Sequence, residues 1–135
     1  MASSKISKIS SVIRGEYRPT VLNGASSISF DNSIHYTKIG PIVVLSHAFW
    51  SFTIAGANSN TLDLSLPFKP NMPRFIGYFG YNNSGKNYLP VVSINQDYYG
   101  MRYLVKNSDG SVEDVKGNTF TSFIGQMSIV YTTDE

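Results

Sequence analysis

The chain has 135 residues, of which 41% are hydrophobic, 13% aromatic and only 15% charged, and its formal net charge is +2. This length supports one domain with a hydrophobic core, and the low charge together with 9 Tyr and 8 Phe favours strands over long amphipathic helices. The sequence has no basic cluster typical of a nucleic-acid surface, no apolar run long enough for membrane insertion, and no cysteine for a disulfide. Because the N-terminus also lacks the apolar run of a signal peptide, we expect synthesis in a cytoplasm.

Residues 1–14 are rich in Ser and Lys, and Ile6, Ile9 and Ile13 recur there at spacings of three and four. Isoleucine at such positions favours trimeric coiled coils, although one heptad is too short to establish one. We therefore expect a leader or stalk remnant over residues 1–14. The globular domain, residues 15–135, then begins as an extended segment stiffened by Pro19.

Short segments with strand-like alternation, separated by turn residues, occupy the rest of the chain. Asn23-Gly24 and Asp109-Gly110 are turn signals, and three prolines within residues 67–73 forbid an interior strand and predict an extended crossover. The predicted strands are residues 27–30, 34–39, 42–54, 61–66, 74–81, 88–94, 98–106, 111–115, 120–124 and 127–132. So many short strands predict an all-β fold, an antiparallel β-sandwich of jelly-roll-like type.

The longest predicted strand, residues 42–54, is partly apolar on both faces. One face is predicted to carry Ile42, Val44, Ser46, Ala48, Trp50, Phe52 and Ile54. We expect Trp50 in the core, and we expect Val43, Leu45 and Phe49, on the opposite face, in the core or at a trimer interface. In the shorter strand over residues 61–66, Asp63 alternates with leucines, which predicts a solvated face for this carboxylate.

A band of tyrosines and amides follows residue 77. Tyrosine offers a stiff apolar face with a polar tip, and amides offer paired donors and acceptors, a mixture that suits the C–H patches and hydroxyls of sugar rings. In the alternative interpretation, the tyrosines belong to the core and the asparagines form turns. The residues predicted to bind a glycan are Tyr81, Asn83, Lys86, Tyr88, Asp97, Tyr98 and Tyr99.

The sequence shows no motif typical of catalysis or metal binding. His35 and His47 lie at no metal-ligand spacing, and the sequence contains no nucleophile elbow, P-loop or dinucleotide fingerprint. The acidic residues lie beside turns or on faces where solvated charge is expected. We therefore expect a protein that is not an enzyme and that needs neither metal nor cofactor.

Several segments, taken in order, resemble the C-terminal tip domain of bacteriophage tail fibres and tailspikes. They are Arg14-Gly15 followed by Tyr17-Arg18-Pro19-Thr20, then Tyr36-Thr37-Lys38-Ile39-Gly40 before the long apolar strand, and Leu66-Pro67-Phe68-Lys69-Pro70 in the crossover. The closing strand over residues 127–132 resembles the last strand of that domain. The order and spacing hold from Arg14 to Thr132.

This resemblance implies a homotrimeric β-sandwich at the tip of the fibre in the virion. Such a domain joins the rest of the tail fibre and contacts a host cell-surface receptor, which the tyrosine and amide band suggests is a polysaccharide. The framework motifs are structural and the receptor loops vary, so the family supplies no binding residue. Two alternatives stay open: a structural trimerisation and folding cap without receptor contacts, and a capsule depolymerase module.

Overall fold

The computed structural model describes residues 11–72, 77–78, 80–81, 87–94, 96–119 and 122–135. Within its strands, residues 47–51, 77–78, 80–81, 87 and 122–127 are described by their backbone alone. The strands are β1 (Val12–Tyr17), β2 (Val21–Asn23), β3 (Ser27–Phe30), β4 (Ile34–Ile39), β5 (Ile42–Ala55), β6 (Asp63–Leu64), β7 (Gly77–Tyr78), β8 (Gly80–Tyr81), β9 (Asn87–Ile94), β10 (Tyr99–Lys106), β11 (Val112–Asp114) and β12 (Ser122–Thr132). A 3-10 turn covers Gly117–Thr119.

These strands form two antiparallel sheets. Sheet A has the order β1-β4-β5-β12-β7, and β3 also pairs with β5. Sheet B has the order β2-β6-β10-β9-β8, and β11 also pairs with β10. The predicted all-β, antiparallel class is confirmed.

One hydrophobic core lies between the two sheets. The rings of Phe52 in sheet A and Tyr103 in sheet B have their centroids 6.5 Å apart, which joins the two layers directly. The core consists of Phe30, Ile34, Val43, Leu45, Phe52, Leu62, Leu64, Leu66, Tyr88, Val92, Met101, Tyr103, Val105, Val115, Ile129 and Tyr131. Two layers around a shared core are the arrangement that a β-sandwich requires.

The long central strand β5 contains one extra residue relative to its partner β12. Trp50 pairs with Gly125 and His47 pairs with Met127, so three steps along β5 match two steps along β12. Such a bulge reverses the face on which every later side chain of the strand lies. The side chains of Phe49 and Trp50 lie outside the described residues, so their predicted positions in the core stay predictions.

Burial along β5 changes parity across this bulge. Val43 and Leu45 are fully buried in the core before the bulge, and Phe52 is buried after it. Ile42 and Val44 have the same parity as Phe52 in the sequence, yet they lie on the outer face of sheet A. The prediction of one unbroken alternation over residues 42–54 is therefore wrong, because it took no account of an extra residue.

Strand β1 begins at Val12, so residues 12–14 belong to the folded domain and not to the predicted leader. Residues 1–10 of that leader lie outside the described part of the chain. In the Arg14-Gly15 motif, Gly15 pairs with Tyr36 of β4, and a Cβ atom on Gly15 would lie 2.4 Å from the Tyr36 hydroxyl oxygen. Glycine is needed here because the tyrosine ring packs directly over its backbone.

The crossover after β6 is held by its phenylalanine. The Tyr131 hydroxyl donates to the Phe68 carbonyl at 2.9 Å and accepts the Phe68 N–H at 3.2 Å. The Tyr36 ring meets the Phe68 ring edge-on at 5.3 Å, and the Lys38 ammonium lies 5.8 Å from the centre of the same ring. These contacts fasten the crossover to sheet A. Leu66 and Lys69, from the same segment as Phe68, line the cleft described below.

Three tyrosines make the stability of the protein sensitive to alkali: Tyr103 and Tyr131 in the core, and Tyr17 packed against it. Burial raises the pKa of Tyr17, Tyr103 and Tyr131 above the ordinary value of 10.0. The folded chain therefore keeps these protons at a pH where the unfolded chain releases them, so the free energy of unfolding is unaffected below pH 10 and falls above it. Each tyrosine contributes a limiting slope of about 1.4 kcal/mol per pH unit.

We predict that the free energy of unfolding of Tyr103→Phe falls less steeply above pH 10 than that of the unmodified chain. The difference in limiting slope should be about 1.4 kcal/mol per pH unit, the contribution of one tyrosine. Urea unfolding of both proteins between about pH 8 and pH 11 measures the difference. The same slope for the variant and the unmodified chain would contradict a proton held by Tyr103 in the folded state.

Candidate functional site

A cleft of about 480 Å³ opens where β9 turns into β10. Four segments supply its walls: β2, the start of the crossover, the end of β9 and the β9–β10 turn. The lining residues are Leu22, Ser65, Leu66, Lys69, Ile94, Gln96, Asp97, Tyr98 and Tyr99. The cleft has the size of an ordinary small-ligand site and combines tyrosine rings with amide and charged groups.

A second hollow of about 390 Å³ shares Lys69 and Ile94 with the cleft. In this hollow the Asn71 side-chain amide donates to the Asp134 carboxylate at 3.0 Å, and the Lys69 backbone N–H donates to the Glu135 carboxylate. The two hollows are therefore neighbours that have Lys69 and Ile94 as common walls.

The Tyr98 side chain connects the cleft to an ion pair between the buried Asp63 and the partly exposed Arg102. Its hydroxyl donates to the Asp63 carboxylate at 2.5 Å, and Asp63 is fully buried. Arg102 donates to both oxygens of the same carboxylate, from Nε at 2.8 Å and from Nη2 at 2.9 Å. Because Arg102 and Asp63 pair across β10 and β6, the backbone register itself places them side by side.

The prediction of a solvated Asp63 is therefore wrong. The predicted alternation over residues 61–66 fails because only Asp63–Leu64 is a strand there, with both of its residues buried. A buried carboxylate is tolerated when its charge and its lone pairs are satisfied, and Arg102 and Tyr98 do this for Asp63.

The guanidinium of Arg102 stays charged in this setting. Its hydrogen bond to Asp63 raises the pKa of Arg102, and the nearby charge of Asp114 acts in the same direction. Asp114 is exposed and lies 3.5 Å from Nη1 of Arg102. The ion pair with Asp63 is the inner, stronger one, because it is shorter, bidentate and shielded from water.

Three of the residues predicted to bind a glycan lie together in the cleft. Asp97 is exposed, Tyr98 is half-buried, and Tyr99 is half-buried with its side chain packed against the core. They are consecutive residues, two from the turn between β9 and β10 and one from the start of β10, which is why a local sequence pattern could find them.

The other four predicted residues are not placed in this cleft. Tyr88 is only 5% exposed and belongs to the core, so its side chain is not on the surface. Tyr81 is described by its backbone alone, in β8 beside β9. Asn83 and Lys86 lie outside the described residues.

The sequence reasoning missed Leu22, Ser65 and Lys69. Each comes from a different point in the chain than the β9–β10 turn, and a single leucine, serine or lysine carries no signal of its own. Only the pairing of β2, β6 and β10 in sheet B brings these residues beside the tyrosines.

Among the described residues, no three or more His, Asp or Glu side chains are grouped so as to hold a metal ion. The same part of the chain contains no helix that is both long enough and apolar enough to cross a membrane.

Comparison of the chain with protein-family models, curated proteins and solved structures found no match. The sequence motifs and the geometry of the cleft are therefore the features that bear on function.

We predict that Arg102→Ala lowers the free energy of unfolding by about 3–5 kcal/mol, because it leaves the buried Asp63 carboxylate without its counter-charge. Asp114→Ala removes only the exposed partner of the same arginine and should cost less than about 1 kcal/mol. Urea unfolding at neutral pH measures both variants. If both variants lower the free energy of unfolding by a similar amount, the stabilising effect of Arg102 does not depend on its pair with Asp63.

Proposed function

We propose that this chain is the tip domain of a bacteriophage tail fibre, a homotrimer that binds a host cell-surface polysaccharide through the cleft at Tyr98 and Tyr99. The observation that carries the proposal is the cleft itself, which gathers three of the residues expected to bind a glycan. The ordered tail-fibre motifs support the assignment to a fibre tip, and we propose a jelly-roll-like winding for its two sheets.

The lining of the cleft suits a sugar better than a wholly apolar or wholly charged ligand. Tyr98 and Tyr99 supply aromatic surface, and the exposed Leu22 and Ile94 extend it. Polar groups at the margin, including Lys69, are available for the hydroxyls of a pyranose. Such shallow sites bind weakly, and three linked copies convert weak contacts into lasting attachment.

The outer face of sheet A supports self-association. Val12, Ile39 and Ile42 are neighbours across three paired strands and are 49%, 39% and 43% exposed. On the side of sheet A toward β12, the half-buried Val44 of β5 pairs with the half-buried Val130 of β12. A group of apolar side chains exposed on one sheet face is typical of an interaction surface, and we assign it to the contact between copies.

Opposite charges border this apolar face. Arg14 and Glu16 are exposed and lie on the same side of β1 as Val12. In an assembly of identical chains, the arginine of one copy can pair with the glutamate of the next at the rim of the buried patch.

We predict that Lys69→Ala combined with Gln96→Ala weakens attachment of the labelled domain to its host cells about tenfold. The reason is the loss of two polar contacts to the sugar, each of about 0.7 kcal/mol. Both side chains are exposed, so the fold should be unaffected. The matched control combines Glu113→Ala with Asn118→Ala, two exposed residues outside the cleft.

The measurement is fluorescence of cells from a panel of bacterial strains and of their purified surface polysaccharides. A domain that labels none of them, and that does not reduce phage adsorption to any, favours the structural cap. Release of reducing sugar ends during the same incubations would favour the depolymerase.

We predict a solution mass near three times the 14.9 kDa chain by light scattering. Ile39→Asp combined with Ile42→Asp should give monomers, because charges would be buried at the proposed contact. Val112→Asp is the matched control, since Val112 is 55% exposed but lies on β11 of sheet B. A monomeric unmodified chain, or a trimer that the double variant leaves intact, would contradict the assigned face.

A further inference from the structure

The hydroxyl of Tyr98 is committed to the protein. It lies 2.5 Å from Oδ2 of Asp63, whose charge makes this a strong hydrogen bond. Because Asp63 is fully buried, the hydroxyl end of Tyr98 is directed toward the protein interior. The ring is then the part of this side chain that is left to meet a ligand in the cleft.

The Asp63 carboxylate, which accepts this hydrogen bond, is itself held in place. Arg102 binds both carboxylate oxygens, at 2.8 Å and 2.9 Å, and it does so from the strand paired with that of Asp63. The carboxylate is thus fixed by a sheet and not by a loop. A turn residue attached to it, such as Tyr98, is held in one orientation before any ligand arrives.

We propose that the Asp63–Arg102 pair is a positioning device for Tyr98, and that the cleft binds a pyranose whose C–H face packs on the Tyr98 ring. This inference rests on the proposed glycan binding and specifies its chemistry. The sugar stacks on the ring and makes its polar contacts elsewhere, with Lys69, Gln96 and Asp97. Stacking of this kind requires a sugar face free of axial hydroxyls, because a hydroxyl standing on that face would separate the two surfaces.

The energetic benefit is preorganisation. A tyrosine on a surface turn normally loses rotamer freedom when a ligand packs on it, and a ring already fixed by Asp63 loses much less. Removing the fixing hydrogen bond should therefore weaken binding about two- to tenfold, even though no atom that contacts the sugar is removed.

The test uses the full chain and a panel of methyl pyranosides of glucose, galactose, mannose, rhamnose and their N-acetylamino derivatives. Saturation-transfer NMR gives the dissociation constants for the unmodified chain, Tyr98→Phe, Asp63→Asn and the double variant. Asp114→Asn is the control, because it changes the exposed partner of Arg102 and leaves the Asp63 carboxylate, the acceptor of the Tyr98 hydroxyl, in place. We expect both single variants to weaken binding, the double variant to be no worse than either, and the control to be unchanged.

A hydroxyl that binds the sugar directly would give another pattern. Tyr98→Phe would then weaken binding while Asp63→Asn, which releases the hydroxyl, would preserve or improve it, and this result would overturn the proposal. A dissociation constant that Tyr98→Phe leaves unchanged would also overturn the proposed positioning of Tyr98 by Asp63. The proposed glycan binding by the cleft would then still stand.

A second measurement needs neither a ligand nor the Asp63 variant, which leaves Arg102 without its counter-charge and can prevent folding. Proton NMR of the unmodified chain should show a Tyr98 hydroxyl proton that exchanges slowly with water, as expected for a phenol bonded to a buried carboxylate. Exchange as fast as that of an exposed tyrosine would overturn the positioning device. If no pyranoside binds the unmodified chain, the proposed function fails, and the exchange rate alone decides whether Asp63 fixes Tyr98.

Discussion

The extra residue in β5 determines which side chains the two sheets enclose. This strand pairs with β3, β4 and β12, so its faces set the inside and outside of much of sheet A. With regular alternation, residues of one parity would lie inside along its whole length. The bulge instead lets Leu45 and Phe52, of opposite parity, both enter the core. It also leaves Ile42 and Val44 outside, and the apolar surface to which we assign the contact between copies arises in this way.

The pair of the buried Asp63 with Arg102 links the second sheet to the cleft. Charges inside a β domain are costly unless they are paired and fully hydrogen-bonded, and here the pairing follows from the register of β6 and β10. The phenol of Tyr98 completes the coordination of the carboxylate. The shape of the cleft therefore depends on strand pairing and not only on the loop that bears the tyrosine.

Local features could be predicted from the sequence, and features that depend on distant partners could not. The Asp109-Gly110 turn forms the expected hairpin, with Gly110 at φ +88°, because turn chemistry is set by adjacent residues. The bulge has no comparable local signal. The burial of Asp63 depends on Arg102, far along the chain, and Lys69 reaches the cleft only through the crossover. Tyr88 belongs to the same tyrosine-rich stretch as the cleft residues, yet its place in β9 turns it inward.

The four segments that form the walls of the cleft meet only in the folded chain, and most of their lining side chains take no part in strand pairing. Substitution in one segment changes one wall and leaves the pairing of both sheets intact. Ligand preference can thus diverge between related chains by small, separate steps that the fold tolerates. Leu66 and Tyr98 are exceptions, since Leu66 belongs to the core and replacing Tyr98 also disturbs a buried charge. Folding therefore constrains the Tyr98 ring more strongly than it constrains the exposed residues at the margin of the cleft.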